Sequence, residues 1–455
     1  MFTAAELDQI IKAYDIRGLV DGQVTPEFAF SLGCAYAKFL EEEREPSTVV
    51  VGEDMRPSSP LLATAFADGV SSQGFDVIRI GLASTDMLYF AAGKLNLPGA
   101  MFTASHNPAE YNGIKLCKSG ARPIGKESGL LRIRDLILTG VPMALRSPGI
   151  SHEQPMLDDY VNFLLSLFDS HATASARKLK VVIDAGNGMA GFTAPAVMSR
   201  LNVDLTPMYF ELDGSFPNHE ANPIEASNLI DLQKKVREVG ADIGLAFDGD
   251  ADRCFLVDEN GDLVNPSTLT ALIAVRELKR QPGSTIIYNL ISSKAVAEIV
   301  EENGGTAVRS RVGHSYIKKL MADTGAIFGG EHSGHFYFGN FWRADSGMLA
   351  ALFALSELAS SQVPLSQLLA PYNRYISSGE INTQVANTAE ALEFIKASFE
   401  RDYPVDDLDG YTVTGPDWWF NVRGSNTEPL LRLNVEAHSA EQMERVKDQV
   451  LALIR

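Results

Sequence analysis

Cysteine is scarce: Cys34, Cys117 and Cys254 are the only three in 455 residues. They are too few and too widely spaced for a disulfide framework or a close-spaced zinc site, so a reducing compartment, the cytoplasm, is the expected setting. Basic charge is also in deficit, with 39 Lys and Arg against 58 Asp and Glu, a net charge of −19. A chain with no cationic surplus gains little by releasing counterions from nucleic acid or by lying on an anionic membrane, and neither is expected as a partner. Long hydrophobic runs are missing too. The best candidate, GMLAALFALSELA, is broken by Ser and Glu and falls short of a bilayer span. The opening MFTAAELDQIIKAYDIRG carries acidic residues inside its apolar run and no basic stretch ahead of it, unlike a signal peptide. No G-x-S-x-G elbow occurs, which removes the usual serine-hydrolase signature, and no short repeat or low-complexity segment is visible.

What is present is an ordinary globular balance, 45% apolar and 21% charged residues, enough for several cores over about three or four domains. Short β-branched runs, STVVVGEDMR, LKVVIDAGNGMAG, ADIGLAFDGDADR and GSTIIYNLISSKAV, end abruptly in polar residues and are followed by helix-compatible stretches. That alternation predicts parallel α/β sheets, with ligands at the carboxyl ends of the strands. The last segment mixes helices with two antiparallel strands, YTVTGPDWWFNVR and LLRLNVEAH, and predicts a small α+β domain. Boundaries rich in Gly, Pro, Ser and Asn near ALRSPGISHEQP, VDENGDLVNP and APYNRYISSGEINT divide the chain into 1–150, 151–257, 258–371 and 372–455.

Four polar clusters carry chemistry. In TASHNPAEYNGIK, Ser105 stands beside His106 and the stretch ends on Lys115. A serine hydroxyl becomes nucleophilic when a base takes its proton or a cation stabilises its charge, roles that suit His and Lys. Pro108 and Asn112-Gly113 predict a rigid, turned loop; taken alone, the motif favours an ordinary turn with a solvent-facing histidine. In DGDADR, Asp248, Asp250 and Asp252 precede Arg253, and a loop after the strand IGLAF would let these carboxylates converge on one hard cation such as magnesium. An EF-hand would use the same aspartates with Glu259, but Arg253 stands where that loop needs glycine, and CFLVD reads as a strand. GGEHSGHFYF holds Glu331, Ser333 and His335, with His314 upstream, a polar set suited to sugar hydroxyls or, for a lone histidine, to local backbone. RGSNTEP offers Arg423, Ser425, Asn426 and Thr427 as an anion cradle or a plain polar turn, and KAYDIRG adds Tyr14 and Arg17.

In order and approximate separation, KAYDIRG, TASHNP…NGIK, DGDADR, GEHSGH and RGSNTEP resemble the motifs of the α-D-phosphohexomutase family, its bacterial phosphomannomutase/phosphoglucomutase branch most closely, over nearly the whole chain. The resemblance implies an α/β fold of four domains around a central cleft: three mixed α/β domains and a C-terminal α+β domain of TATA-binding-like type. It implies an isomerase that reversibly interconverts hexose 1-phosphate and hexose 6-phosphate, of mannose, glucose or both, through phospho-Ser105 and a bound hexose 1,6-bisphosphate. Asp248, Asp250 and Asp252, with the Ser105 oxygen, would hold one Mg²⁺ per subunit, and glucose 1,6-bisphosphate would activate. Glu331 and Ser333 would read sugar hydroxyls, with Tyr14 also in contact with substrate; Arg423, Ser425, Asn426 and Thr427 would bind the phosphate that is not transferred. Arg17, His106, Lys115, Arg253, His314 and His335 would surround the reacting phosphate, with acid and base unassigned. Phosphosugars would be the partners of a monomer. Some relatives carry Lys or Arg where this chain has Ile291, which leaves a phosphate contact from that loop, or from Lys294, in question. The alternatives are a phosphoglucosamine mutase, which commonly has Gln at the place of His332, a metal-dependent sugar phosphatase, and a calcium- or sugar-binding module without turnover.

Overall fold

The computed structural model describes residues 2–142, 144, 146–168, 177–424 and 430–454. By its internal contacts the chain divides into two units, Met1–Val264 with Ser333–Leu368, and Asn265–His332 with Leu369–Arg455.

The first unit opens on a sheet of β1 (Ile16–Leu19), β2 (Thr48–Glu53), β3 (Asp76–Leu82), β4 (Gly99–Phe102), β5 (Tyr111–Lys118), β6 (Arg122–Pro123) and β7 (Ser151–Glu153). Its order is β1-β5-β4-β2-β3-β7, with β6 on β5. Strands β4, β2, β3 and β7 are parallel, whereas β5 returns antiparallel to both β4 and β1. Val49, Val50 and Val51 are all buried, as expected of a parallel strand covered on both faces. Helices Pro26–Glu42 and Ser59–Ser72 pack closely on each other because two glycines let their backbones meet. A Cβ on Gly33 would stand 2.2 Å from the Phe66 carbonyl oxygen, and one on Gly69 would stand 2.1 Å from that of Phe30.

The second sheet joins β8 (Leu179–Asp184), β9 (Val203–Met208), β10 (Ile243–Phe247), β11 (Cys254–Val257) and β12 (Leu263–Val264) in the order β12-β11-β10-β8-β9. Here β9, β8 and β10 are parallel and β11 runs antiparallel to β10, so DGDADR is the reversal between two buried strands. That geometry differs from the loop-to-helix exit of an EF-hand. The first unit also contains the hairpin β16 (Phe336–Phe338) and β17 (Ala344–Asp345), followed by helix Gly347–Ser360. This helix is the GMLAALFALSELA run, and it is apolar nearly all round because most of it is buried.

The second unit holds the parallel trio β13 (Thr285–Asn289), β14 (Thr306–Ser310) and β15 (Phe328–Gly330). It also holds the antiparallel sheet of β18 (Ile376–Gln384), β19 (Val405–Asp406), β20 (Tyr411–Thr414), β21 (Trp418–Gly424) and β22 (Leu430–Ala437), ordered β18-β22-β21-β20-β19. Helices Thr388–Phe399 and Ala440–Ile454 cover that sheet, burying Ile395, Phe399, Phe420, Val435, Val446 and Val450. Mixed α/β sheets thus precede an α+β C-terminal part, as expected. Among the described residues, no single helix is long and apolar enough to cross a membrane.

Two local expectations change. Asn112 and Gly113 lie inside β5 rather than in a turn, paired with Gly18 and Arg17 of β1. The glycine is needed there for close approach, since a Cβ would meet the Ile16 oxygen at 2.4 Å and the Thr103 oxygen at 2.8 Å. The C-terminal sheet has five strands rather than two: YTVTGPDWWFNVR turns within itself to give β20 and β21, and SSGEINT lies within β18. The polar composition of β18, mostly exposed or half-buried, hides its pairing with β22.

Candidate active site

Strand β4 ends at the carboxyl edge of the parallel set, and Thr103–Glu110 turns from it into β5. Thr103 Oγ1 accepts the Ser105 amide at 2.9 Å. This holds Ser105 at φ +51, a left-handed conformation that costs a non-glycine residue about 1 kcal/mol. The residue is 1% exposed. Its hydroxyl donates to Asp248 Oδ2 at 2.8 Å and lies 3.2 Å from His106 Nδ1. Arg253 Nη2 donates to that same Nδ1 at 2.9 Å. One ring nitrogen offers one lone pair, so with Arg253 on it the serine proton points to Asp248. Burial, then the charges of Arg253 and Arg17, hold the His106 pKa well below the usual histidine value, and the ring is neutral.

The DGDADR reversal sits against this loop. A Cβ on Gly249 would stand 2.3 Å from the Ser105 carbonyl oxygen, so only glycine lets the two backbones touch. Asp248, Asp250 and Asp252 are buried, with ligand-capable oxygens all within 4.8 Å of one another. Lys115, directed from β5, places Nζ 2.6 Å from Asp250 Oδ2 and 2.6 Å from Asp252 Oδ2. Thr85 Oγ1 donates to Asp250 Oδ2 at 2.6 Å. Burial raises the Asp248 pKa, reinforced by Asp252 and Asp250, whereas for Asp252 burial is outweighed by Lys115 and His335 and the pKa falls. Burial works against the Lys115 charge, but Asp250 and Asp252 prevail and raise its pKa well above the usual value. Asp250 Oδ1 is buried without a hydrogen-bond partner. A hard anionic oxygen left over beside two more carboxylates fits a divalent cation.

Arg17 pairs with Asp15 at 2.8 Å and reaches the serine loop at Asn107 Oδ1, 2.6 Å, and the Ala104 oxygen, 3.3 Å. Ser333 Oγ lies 2.9 Å from His335 Nδ1, and the other face of that ring points Nε2 to Asp252 Oδ1 at 3.5 Å. The Cys254 amide bonds the Gly334 oxygen at 3.1 Å, which keeps the Ser333–His335 stretch beside Arg253. Tyr14 is half-buried in the turn before β1.

In the second unit, Glu331 is buried and its Oε1 accepts from the Gly313 amide at 3.1 Å and from Asn289 Nδ2 at 3.4 Å. Arg423 is held by Glu380 at 3.0 Å. Ser425, Asn426, Thr427 and the side chain of His314 lie outside the described residues. Ile291 is buried, and Lys294 gives its amide to Glu436 and its ammonium to Glu298 at 3.7 Å.

Family models built from known sequences match along the chain: phosphoglucomutase/phosphomannomutase α/β/α domains I, II and III over residues 8–140, 158–261 and 265–375, and the C-terminal domain of the same family over 380–453. The chain belongs to the phosphoglucomutase/phosphomannomutase family. It has that family's four-domain fold and is a phosphohexomutase, an isomerase. A phosphomannomutase of Escherichia coli is 38% identical over 455 residues, with 98% of each chain covered. A phosphomannomutase/phosphoglucomutase of Pseudomonas syringae is 37% identical, covering 97% of this chain and 94% of its own. A solved structure of a family protein from Burkholderia thailandensis superposes with a TM-score of 0.90 at 31% identity, over 100% of this chain and 97% of that one.

Three residues beside the candidate site of this phosphohexomutase escape a motif reading. Thr85 caps no motif but holds Asp250. Asp345 joins Asp252 and His335 in a second close group of donors. Arg56 lies buried beneath the serine loop. The signal for Arg56 was its position, two residues after Asp54 at the polar end of the β-branched run STVVVGE.

Proposed function

We propose that Ser105 is the phosphoryl carrier of this phosphohexomutase, and that the enzyme interconverts hexose 1-phosphate and hexose 6-phosphate of glucose and mannose through a hexose 1,6-bisphosphate. What carries the reading is one observation: the Ser105 hydroxyl donates to Asp248 at 2.8 Å, at the edge of three buried carboxylates. In the forward half, the bond from phosphorus to Ser105 Oγ breaks and one forms to the free sugar hydroxyl. That hydroxyl gives up a proton and Ser105 Oγ takes one back. The bisphosphate turns over, and its other phosphoryl returns to Ser105.

Asp248, Asp250, Asp252 and the serine-bound oxygen would hold Mg²⁺, which when bound neutralises charge on the transferring group. Arg17, Arg253 and Lys115 add fixed positive charge around Ser105, and neutral His106 is oriented by Arg253. Tyr14, Glu331 and Ser333 are assigned to the sugar, with His314 and His335 near the reacting phosphate. Arg423, Ser425, Asn426 and Thr427 are assigned to the idle phosphate. Glucose 1,6-bisphosphate would prime the serine. The division at 150, 257 and 371, a monomeric state and a cytoplasmic setting belong to the same proposal.

Intact-mass spectrometry before and after glucose 1,6-bisphosphate tests it. The wild type is expected to gain one phosphoryl unit at position 105, and Ser105→Ala none, with mutase turnover lost in the variant. Release of free phosphate in place of isomer would make the protein a phosphatase instead.

A further inference from the structure

We infer that Arg56 is a positioning residue that holds the Ser105 loop in its working shape by gripping four of its carbonyl groups. Arg56 is 1% exposed, among the most deeply buried charges of the chain. All four hydrogens on its terminal nitrogens are committed to backbone. Nη1 donates to the oxygens of Pro108 (2.8 Å) and Tyr111 (2.9 Å), and Nη2 donates to those of Ser105 (2.9 Å) and Asn107 (2.6 Å). Nε faces Asp54 Oδ2 at 3.2 Å as an ion pair without hydrogen-bond alignment. Asp54 is itself fixed, its Oδ1 accepting from Ser59 Oγ at 2.6 Å and from the Arg56 amide at 3.0 Å. The Phe216 ring lies 5.2 Å from the guanidinium carbon, and a Cβ on Gly214 would stand 2.7 Å from the Arg56 Cα, so the Gly214–Phe216 stretch closes over the arginine.

With all four terminal N–H groups bonded to backbone and the buried Nε facing Asp54, Arg56 acts through the loop it holds. The physical need is clear. Ser105 is kept at φ +51, and a turned loop exposes several carbonyl dipoles within a few residues. A phosphate dianion on Ser105 would repel any carbonyl oxygen facing it. A planar fork that binds four oxygens at once fixes their direction and offsets their partial charge, and a point charge such as Lys lacks that reach. The inference rests on the reading of Ser105 as phosphoryl carrier; the clamp itself is a matter of geometry.

The test uses the full chain with Arg56→Lys and Asp54→Asn, measuring kcat and KM for isomerisation, the thermal midpoint and amide hydrogen exchange. The amides of Ser105, Asn107 and Tyr111 are bonded within the loop and report on it directly. Arg56→Lys keeps the charge beside Asp54 but cannot span four carbonyls. It is expected to lower kcat roughly 100-fold with KM within about twofold, and to speed exchange in 103–111 while the rest of the first unit stays protected. Asp54→Asn, which frees only Nε, is expected to cost about tenfold in kcat. Wild-type kcat in Arg56→Lys overturns the inference, as does a loss matched by faster exchange throughout the first unit. If Arg56→Lys does not fold, Asp54→Asn decides alone, and wild-type kcat with unchanged loop exchange overturns it. If the wild type takes up no phosphate, the carrier reading fails separately. Exchange in 103–111 then still judges the clamp, faster exchange in the variants supporting it and unchanged exchange refuting it.

Discussion

Charge at the proposed carrier serine is balanced by Lys115 rather than by its neighbour His106. The ammonium bonds both Asp250 and Asp252, while His106 is neutral and occupied by Arg253. Replacing Lys115 with Met would take the bonded ammonium from two buried carboxylates, leaving Asp252 with Arg253 at 4.0 Å and His335 at 3.5 Å, a loss of about 3 kcal/mol in metal-free protein. The expected result is a lower thermal midpoint that Mg²⁺ or Mn²⁺ restores by more than it raises the wild type, together with loss of turnover. An equal cation-induced shift in both proteins would show that the lysine does not share the carboxylates with a metal. Asp86 is the other buried carboxylate with a clear consequence. It accepts from Ser84, Tyr160 and Ser346, yet burial pushes its pKa up to about 6. The unfolded chain releases this proton near 3.8, the folded chain near 6, so stability falls as pH rises through that interval and levels off above it. In Asp86→Asn that slope disappears. The difference in urea-unfolding free energy between the two proteins should therefore change by roughly 2 kcal/mol between about pH 4 and about pH 6. A constant difference would show that Asp86 ionises normally.

Among the elements, the decisive contact is between two loops, each fixed by the strands on either side. The turn after β4 and the reversal between β10 and β11 touch at Gly249, where any side chain would strike the Ser105 carbonyl oxygen. Gly249→Ala is expected to fold, with a cost of about 1–3 kcal/mol for overpacking, and to lose kcat much more than KM because the serine and the aspartates are driven apart. Unchanged kcat in a folded Gly249→Ala protein would show that the loops have slack. The same scale explains the misread Asn112-Gly113 pair. These residues favour turns by local propensity, but in β5 the glycine serves the close approach of β1 and of Thr103, and Asn112 bonds Ser58 and Ser59.

At the scale of the whole molecule, Ser105, Lys115, the three aspartates and Arg253 all belong to the larger unit, and Glu331 and Arg423 to the smaller. Calorimetry is expected to resolve two transitions, with a divalent cation raising only the one assigned by hydrogen exchange to Met1–Val264 and Ser333–Leu368. A single transition, or a shift confined to the other unit, would contradict this. The amino-acid order alone determined the α/β strands, through β-branched runs that stop at polar residues, and the aspartate cluster, because Asp248, Asp250 and Asp252 stand at alternate positions of one short loop. It determined the family as well, since five motifs in register survive without coordinates. Only the tertiary structure decided that the Ser105 hydroxyl donates a hydrogen bond to an aspartate 143 residues away, that Lys115 serves the carboxylates, and that Arg56 lies under the loop. Local pattern encodes which face is buried and where the chain can turn. Which partner satisfies a buried charge depends on strands brought together from distant parts of the chain, and no spacing along the sequence records that.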